Sequence, residues 1–309
     1  MRILFIADQF ADVGRTSSDK YPGGAELTDE AAVMASPYPI DCVRCQDVDL
    51  DSLKDYDLHL LGNTQHASSA LFDELSSMGR HVLFEHDVRI CRWRGNFSAV
   101  VEPSHRIFQR CLCPHTGLRR LYDTALGAIF LTHRQLAVFE MNPFFRVRAT
   151  RVVGSSLFEE AFFDRPPKAS TRSGTVYFES RAKIKGGAAA RRFAEENGWS
   201  PSPIKDLTPP EVLDLFERSE RFVYLPLGLE PAGRMVVEAR FLGCQVIAND
   251  HVGVCGESWW HLEDEQAIQV LKDAPKRFWR LVDEIAHGLT APLPPLNKAQ
   301  QRHRTITTG

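Results

Sequence analysis

One pattern constrains this chain more than any other: short apolar runs of strand length alternate with longer stretches of helical spacing along most of it. In the first half, MRILFIA, PIDCVRCQ, DLHLLGN, HVLFEHD, GAIFLTH and RVRATRVVGSS read as strands. The stretch GAELTDEAAVM reads as a helix opening after a Gly-Gly turn, and a further helix, rich in Arg and Phe, separates the last two strands. Strands separated by helices argue for a parallel sheet with crossover helices. The segment 163–173, FDRPPKASTRS, carries two prolines and little apolar content, and reads as a linker.

After the linker the alternation restarts. TVYFES, RFVYLPL and CQVIAND read as strands; AAARRFAEEN, PPEVLDLFERS and RMVVEARFLG read as helices. Residues 263–288 read as helical with a break at Pro275, and 291–309 as a loose tail. The expectation is an α/β chain of two doubly wound domains, 1–163 and 174–290, facing a central cleft, with an Arg- and Cys-rich insertion around 89–120.

Composition removes several classes. The chain has 309 residues, 43% hydrophobic and 25% charged, which suits a two-domain globular protein rather than a disordered one. No run approaches the ~20 uncharged apolar residues of a membrane span, and the N-terminus, broken by Asp8, reads as a buried strand rather than a signal peptide. Seven cysteines without a pairing pattern point to a reduced, cytoplasmic compartment.

In doubly wound sheets, ligands bind where the carboxyl ends of strands lead into helix starts. Three such loops stand out. Gly23 and Gly24 let backbone approach a ligand and precede a helix whose free N–H groups suit an anion. In ESRAKIKGG, Arg181 and Lys185 are placed to neutralise a diphosphate; a basic surface turn would look the same. In LPLGLEPAGRMVVEARFLG, Glu230 and Glu238 are separated by seven residues, with Ala232, Gly233 and Arg234 at a helix start between them. Glu238 lies among apolar neighbours, so it needs a partner, and a pair of ribose hydroxyls would serve.

LEPAGRMVVEARFLGCQVIANDHVG resembles the signature of retaining glycosyltransferases of family 4, in which two glutamates are separated by seven residues. PGGAE is similar to that family's N-terminal glycine loop and ESRAKIKG to its Arg/Lys loop. The motifs fall in the family's order over nearly the whole chain. The resemblance implies a GT-B fold of two Rossmann-like domains. YPGGAELTDEAA, FEHDVRICRWR and EARFLGCQVIAND further resemble a group of short glycosyltransferases often carried by phages, some of which decorate hydroxymethylated DNA bases; the compartment would then be the host cytoplasm. The chain departs from the family in having Leu229 and Pro231 around Glu230, and in being shorter.

By this resemblance the donor is a nucleotide diphosphate sugar, with UDP as the expected nucleotide, held mainly by the second domain. Arg181 and Lys185 would hold the diphosphate with the amides of Ala232, Gly233 and Arg234; Glu238 would bind ribose, and Glu230 the hydroxyls of the transferred sugar. Gly23 and Gly24 would close over the phosphates. His86 and Asp87, at the end of HVLFEHD, are candidates to orient or deprotonate the acceptor, and a structural loop cluster is the other reading. A non-catalytic nucleotide-sugar binder and a sugar epimerase remain alternatives.

Net charge is −3, yet residues 86–151 hold 11 Lys+Arg against 4 Asp+Glu. Arg89, Arg92, Trp93, Arg94, Arg106, Arg110, Arg119 and Arg120 combine cations with an aromatic, which suits a DNA acceptor, an anionic lipid or polysaccharide, or only a solvated face. The same insertion carries Cys91, His105, Cys111 and Cys113, which would complete a structural zinc site; free thiols are the alternative. Cys42 and Cys45 alternate across a strand, which argues against a shared metal.

Overall fold

The computed structural model describes residues 1–11, 22–93, 95, 111–114, 116–165 and 171–288. The first sheet has six strands in the order β2-β1-β3-β4-β5-β6, formed by β1 (Ile3–Ala7), β2 (Ile40–Arg44), β3 (Leu58–Leu61), β4 (His81–Glu85), β5 (Gly127–Phe130) and β6 (Thr150–Val152). The second has four in the order β10-β9-β7-β8, from β7 (Thr175–Phe178), β8 (Pro201–Ile204), β9 (Arg221–Tyr224) and β10 (Gln245–Ala248). All pairings within both sheets are parallel. The strand order reverses beside β1 in one sheet and beside β7 in the other, so each sheet offers a crevice at its carboxyl edge.

Alternation along the strands explains why they are buried on both faces. Ile3, Phe5 and Ala7 of β1 join one apolar cluster, while Leu4 and Ile6 join another on the opposite side. The same split recurs in β4, with Val82 and Phe84 on one face and Leu83 on the other. Helices cover these faces, and their ends follow local chemistry. Thr208 caps the helix Pro209–Arg218, in a reciprocal box with Glu211, and Pro occupies its first turn, where the missing N–H costs nothing.

The helix Gly24–Met34 begins where the sequence placed it. The edge strand β8 was not expected, because Pro201 and Pro203 argue against a strand; an edge position tolerates them. The helical stretch near the C-terminus does break, but between Lys272 and Ala274, with Pro275 in the first turn of the second helix.

That last helix, Ala274–His287, belongs by sequence to the second domain's expected span of 174–290, yet it lies on the first sheet. The Phe278 ring packs on Phe84 of β4 at 4.5 Å between centroids, and Trp279 Nε1 donates to the Ala32 carbonyl at 2.8 Å. One apolar cluster consequently runs from the first sheet through this helix into Val176, Phe222 and Tyr224 of the second.

Trp279 is 3% exposed, and its removal leaves a large void and an unpaired carbonyl at this junction. Trp279→Ala is expected to lower stability by about 3–5 kcal/mol, read from the urea midpoint; a loss below about 1 kcal/mol would show that the helix docks without it.

Candidate functional site

The carboxyl edges of the two sheets enclose a cavity of about 630 Å³, lined from the first half by Gly24, His86, Asp87, Arg92 and Trp93 and from the second by Lys183, Lys185 and the loop around Glu230. Its second-half wall is built around Glu230. The Glu230 N–H donates to the His251 carbonyl at 2.9 Å and its carbonyl accepts from the Gly253 N–H at 2.8 Å, which fixes the backbone beside Val252. Its Oε2 accepts from Lys185 Nζ at 2.6 Å and from the Tyr224 hydroxyl at 2.6 Å. Burial alone would raise this carboxyl; the Lys185 charge and the two donors outweigh it and hold Glu230 below its ordinary value. Burial, with Glu230 behind it, pushes the Tyr224 phenol well up, so it stays a donor.

Lys185 reaches Glu230 because of Gly186. With φ at +71°, Gly186 turns the chain from the Lys183–Lys185 turn into the helix Gly187–Glu196, and a Cβ there would overlap the Leu225 carbonyl. Glycine also caps the helices Gly24–Met34, at Gly23, and Arg234–Phe241, at Gly233. None of the three starts carries a side-chain cap. The starts of Gly24–Met34 and Arg234–Phe241 line the cavity through Gly24, Gly233 and Arg234, with Lys185 beside them, an arrangement suited to a multiply charged anion.

A second cavity, of about 430 Å³, adjoins the first and shares Gly24 and Arg234 with it. Phe162, Phe178, Ile204, Leu207 and Met235 make it largely apolar, with Lys205, Asp206 and Glu238 at its polar margin. Arg234 forms the partition. Its Nε donates to Glu238 Oε1 at 2.8 Å, one terminal nitrogen donates to the Leu157 carbonyl at 2.6 Å, and the guanidinium lies 4.2 Å from the Phe158 ring centre. Glu238 is only 8% exposed, and this pairing satisfies a carboxylate that the sequence showed to need a partner.

On the opposite wall, His86 Nε2 lies 2.6 Å from Asp29 Oδ1, with both side chains 2% exposed. Burial raises the Asp29 carboxyl above its usual value, against the pull of His86. His86 Nδ1 has no hydrogen-bond partner among the described residues. Asp87 turns one carboxylate oxygen back to the Val88 N–H at 2.7 Å. Beneath them, Glu85 Oε1 accepts from the Tyr122 hydroxyl at 2.7 Å, and Arg89 donates to the Gly62 carbonyl and Thr64 Oγ1.

Arg89 is therefore part of the buried frame, not of the basic surface expected from the sequence. Arg119 and Arg120 lie at the surface near Asp123 and Asp73. Arg92 and Trp93 do reach the cavity, stacked at 5.2 Å with Trp93 40% exposed. Arg181 is exposed and does not line the cavity, whereas Lys183 does. Trp259 packs in the interior and donates to the Gly154 carbonyl at 2.8 Å.

Sequence reasoning missed Asp29, Tyr224, Lys183 and the wall formed by Lys205–Leu207. Asp29 gave one signal, a carboxylate one position from the buried Thr28 on a helix facing the core. Cys91, Cys111 and Cys113 come together, each buried, with their sulfurs within 4.8 Å of one another. His105, expected to join them, lies outside the described residues, as do Arg94, Arg106 and Arg110. A hydrogen bond from Cys111 pulls Cys91 down to about 6 despite burial, and pushes Cys111 far up. All seven cysteines are free.

The two facing parallel sheets are the GT-B arrangement that the resemblance implied, and a solved structure bears this out. Sucrose-phosphate synthase from Thermosynechococcus elongatus is similar over 100% of both chains, with a TM-score of 0.51 and 13% identity, and so shares the fold. Also similar are Anabaena HepE, solved with UDP and glucose (TM-score 0.49, 15% identity, 100% of both chains), and the lipopolysaccharide outer core galactosyltransferase WaaB (0.41, 11%, 100% of both). No family model and no curated protein matches the chain.

The buried Glu85 gives a pH test of this frame. Burial, against the Arg89 charge and the Tyr122 hydrogen bond, raises its folded pKa. Its contribution is thus complete below the unfolded value of about 4.3 and is lost as pH rises through the raised folded value. Glu85→Gln should therefore gain in thermal midpoint relative to the unmodified chain between pH 4.5 and 8; a constant difference would mean that Glu85 ionises as it does in solvent.

Proposed function

We propose that this chain is a retaining glycosyltransferase that moves a sugar from a UDP-sugar to a hydroxyl acceptor. One observation carries the reading: two glycine-capped helix starts, at Gly24 and Arg234, and Lys185 line a cavity between two doubly wound sheets beside a carboxylate, Glu230. A solved structure that shares the fold is a sucrose-phosphate synthase.

In this reading the diphosphate sits against the amides of Ala232, Gly233 and Arg234 and against Lys185, with Lys183 supplying charge from the same loop. Gly23 and Gly24 close on it from the other side. The nucleoside occupies the apolar second cavity, where Glu238, steadied by Arg234, meets the ribose. Glu230 grips hydroxyls of the transferred sugar. Its ionised state, secured by Lys185 and Tyr224, makes it an acceptor of hydrogen bonds.

Bond breaking leaves negative charge on the diphosphate, which the helix dipoles and Lys185 stabilise without rearrangement. The acceptor oxygen attacks the same face that the leaving group departs, and the leaving phosphate oxygen takes the acceptor proton. The His86–Asp29 pair and Asp87 orient the acceptor on the opposite wall. Residues 1–163 thus supply the acceptor side and 174–290 the donor side.

The acceptor in this proposal is the hydroxymethyl group of a modified pyrimidine in DNA, the Arg92–Trp93 pair at the cavity wall giving a flat surface for an extruded base. The free state of all seven cysteines supports work in a reducing cytoplasm.

Incubation with a panel of nucleotide sugars and 5-hydroxymethylcytosine DNA should yield a nucleoside heavier by one sugar, found by mass analysis, with the anomeric configuration of the donor. Transfer only to a lipid or polysaccharide would replace the DNA acceptor, and conversion of the donor with no acceptor present would make the chain an epimerase. Glu230→Ala should abolish transfer and leave UDP binding within about threefold, since the nucleoside cavity is untouched; unchanged turnover would remove Glu230 from the reaction.

A further inference from the structure

We propose that Cys91, Cys111 and Cys113 bind a zinc-class metal ion, and that this ion fixes the loop carrying Arg92 and Trp93 to the cavity wall. The three thiols are 2%, 0% and 8% exposed, and no disulfide uses them. A tetrahedral ion with Zn–S bonds of about 2.3 Å holds its thiolates about 3.8 Å apart. The three sulfurs, none more than 4.8 Å from another, must close by at most about 1 Å to reach that geometry.

Two N–H donors are directed at the Cys111 sulfur. Asn142 Nδ2 donates to Cys111 Sγ at 3.3 Å, and the Cys113 N–H donates to it at 3.5 Å; as a thiol, Cys111 would itself donate to the Ile90 carbonyl at 3.6 Å. Asn142 also donates to the Cys113 carbonyl at 3.2 Å, so one buried amide orients two of the three cysteines. Donors directed at a sulfur, and held by the backbone of a neighbouring ligand, are what a metal thiolate needs around it. On binding, each thiol releases its proton to solvent and the sulfur lone pair forms the bond to the ion.

The position of the cluster gives the ion a task. Cys91 precedes Arg92 and Trp93, which line the larger cavity, and the Gly95 carbonyl of the same loop accepts from the N–H of Leu229, next to Glu230, at 3.3 Å. Cys111 and Cys113 lie on a separate segment packed on the first sheet's outer face, in one apolar cluster with Val88, Ile90 and Leu229. A metal bridging the two segments ties the backbone before Arg92 and Trp93 to the segment of Cys111 and Cys113. The inference is independent of which nucleotide or acceptor the cavity takes.

The test uses the full chain, purified under reducing conditions without chelator. Elemental analysis should find about one zinc per chain. Replacement by cobalt should give a near-ultraviolet thiolate-to-cobalt charge-transfer absorption, lost in both Cys91→Ser and Cys113→Ser. Asn142→Ala should keep the fold and weaken metal affinity by about ten- to a hundredfold. Removal of the metal should speed tryptic cleavage after Arg92 several-fold while UDP binding is retained. A chain that carries no metal and shows no cobalt absorption, a Cys113→Ser variant with undiminished metal content, or a disulfide among these cysteines in the reduced preparation would each overturn the site. Metal removal without any change in cleavage after Arg92 would overturn its role in fixing the loop.

Discussion

The molecule depends first on the parallel direction of its strands. Parallel neighbours need a crossover after each strand, and right-handed crossovers return every strand to the same starting edge. All carboxyl ends of a sheet therefore lie together, and so do the loops that follow them. Gly24 and His86 on the first sheet, after β1 and β4, are far apart in sequence and come to one edge for this reason, as do Lys185 and Glu230, after β7 and β9, on the second. The return of Ala274–His287 to the first sheet then holds the two edges face to face through one shared apolar cluster.

Within the cleft, two kinds of buried charge divide the work. Arg234 with Glu238, Arg89 with Glu85, and His86 with Asp29 are paired with protein partners, and removing either member would leave the other uncompensated in a poorly solvated place. They set the shape of the walls. The helix starts capped by Gly23 and Gly233 carry no side-chain cap and line the cavity with their positive ends. Shape thus comes from satisfied pairs, and affinity for an anion from backbone groups that the protein leaves open.

The frame was legible in the sequence because it rests on short-range patterns. The apolar runs in MRILFIA and HVLFEHD placed β1 and β4, and the Gly-Gly turn placed the start of Gly24–Met34. Glu230, Gly233, Glu238 and Lys185 were legible through their loops, since strand-to-helix junctions are where such sheets bind ligands. Asp29, Tyr224 and the wall made by β8 were not. Asp29 matters only because a crossover brings it to His86, 57 residues away in sequence, and β8 is a strand only because an edge position spares Pro201 and Pro203 a lost hydrogen bond. Arg89 reads as one cation among many, and it took burial against Glu85 to separate it from Arg92 at the cavity wall.

The sequence by itself determined the class of fold, the glycine positions and the loops that carry the chemistry, because hydrophobic period, proline and glycine act over a few residues. The tertiary structure alone decided which of those residues face one another. Lys185 meets Glu230 rather than solvent, Arg234 turns to Glu238 and Leu157, Cys91 joins Cys111 and Cys113, and the last helix crosses to the first sheet. Those choices come from burying apolar area over long separations and from pairing each charge that burial removes from water, and no local pattern encodes either.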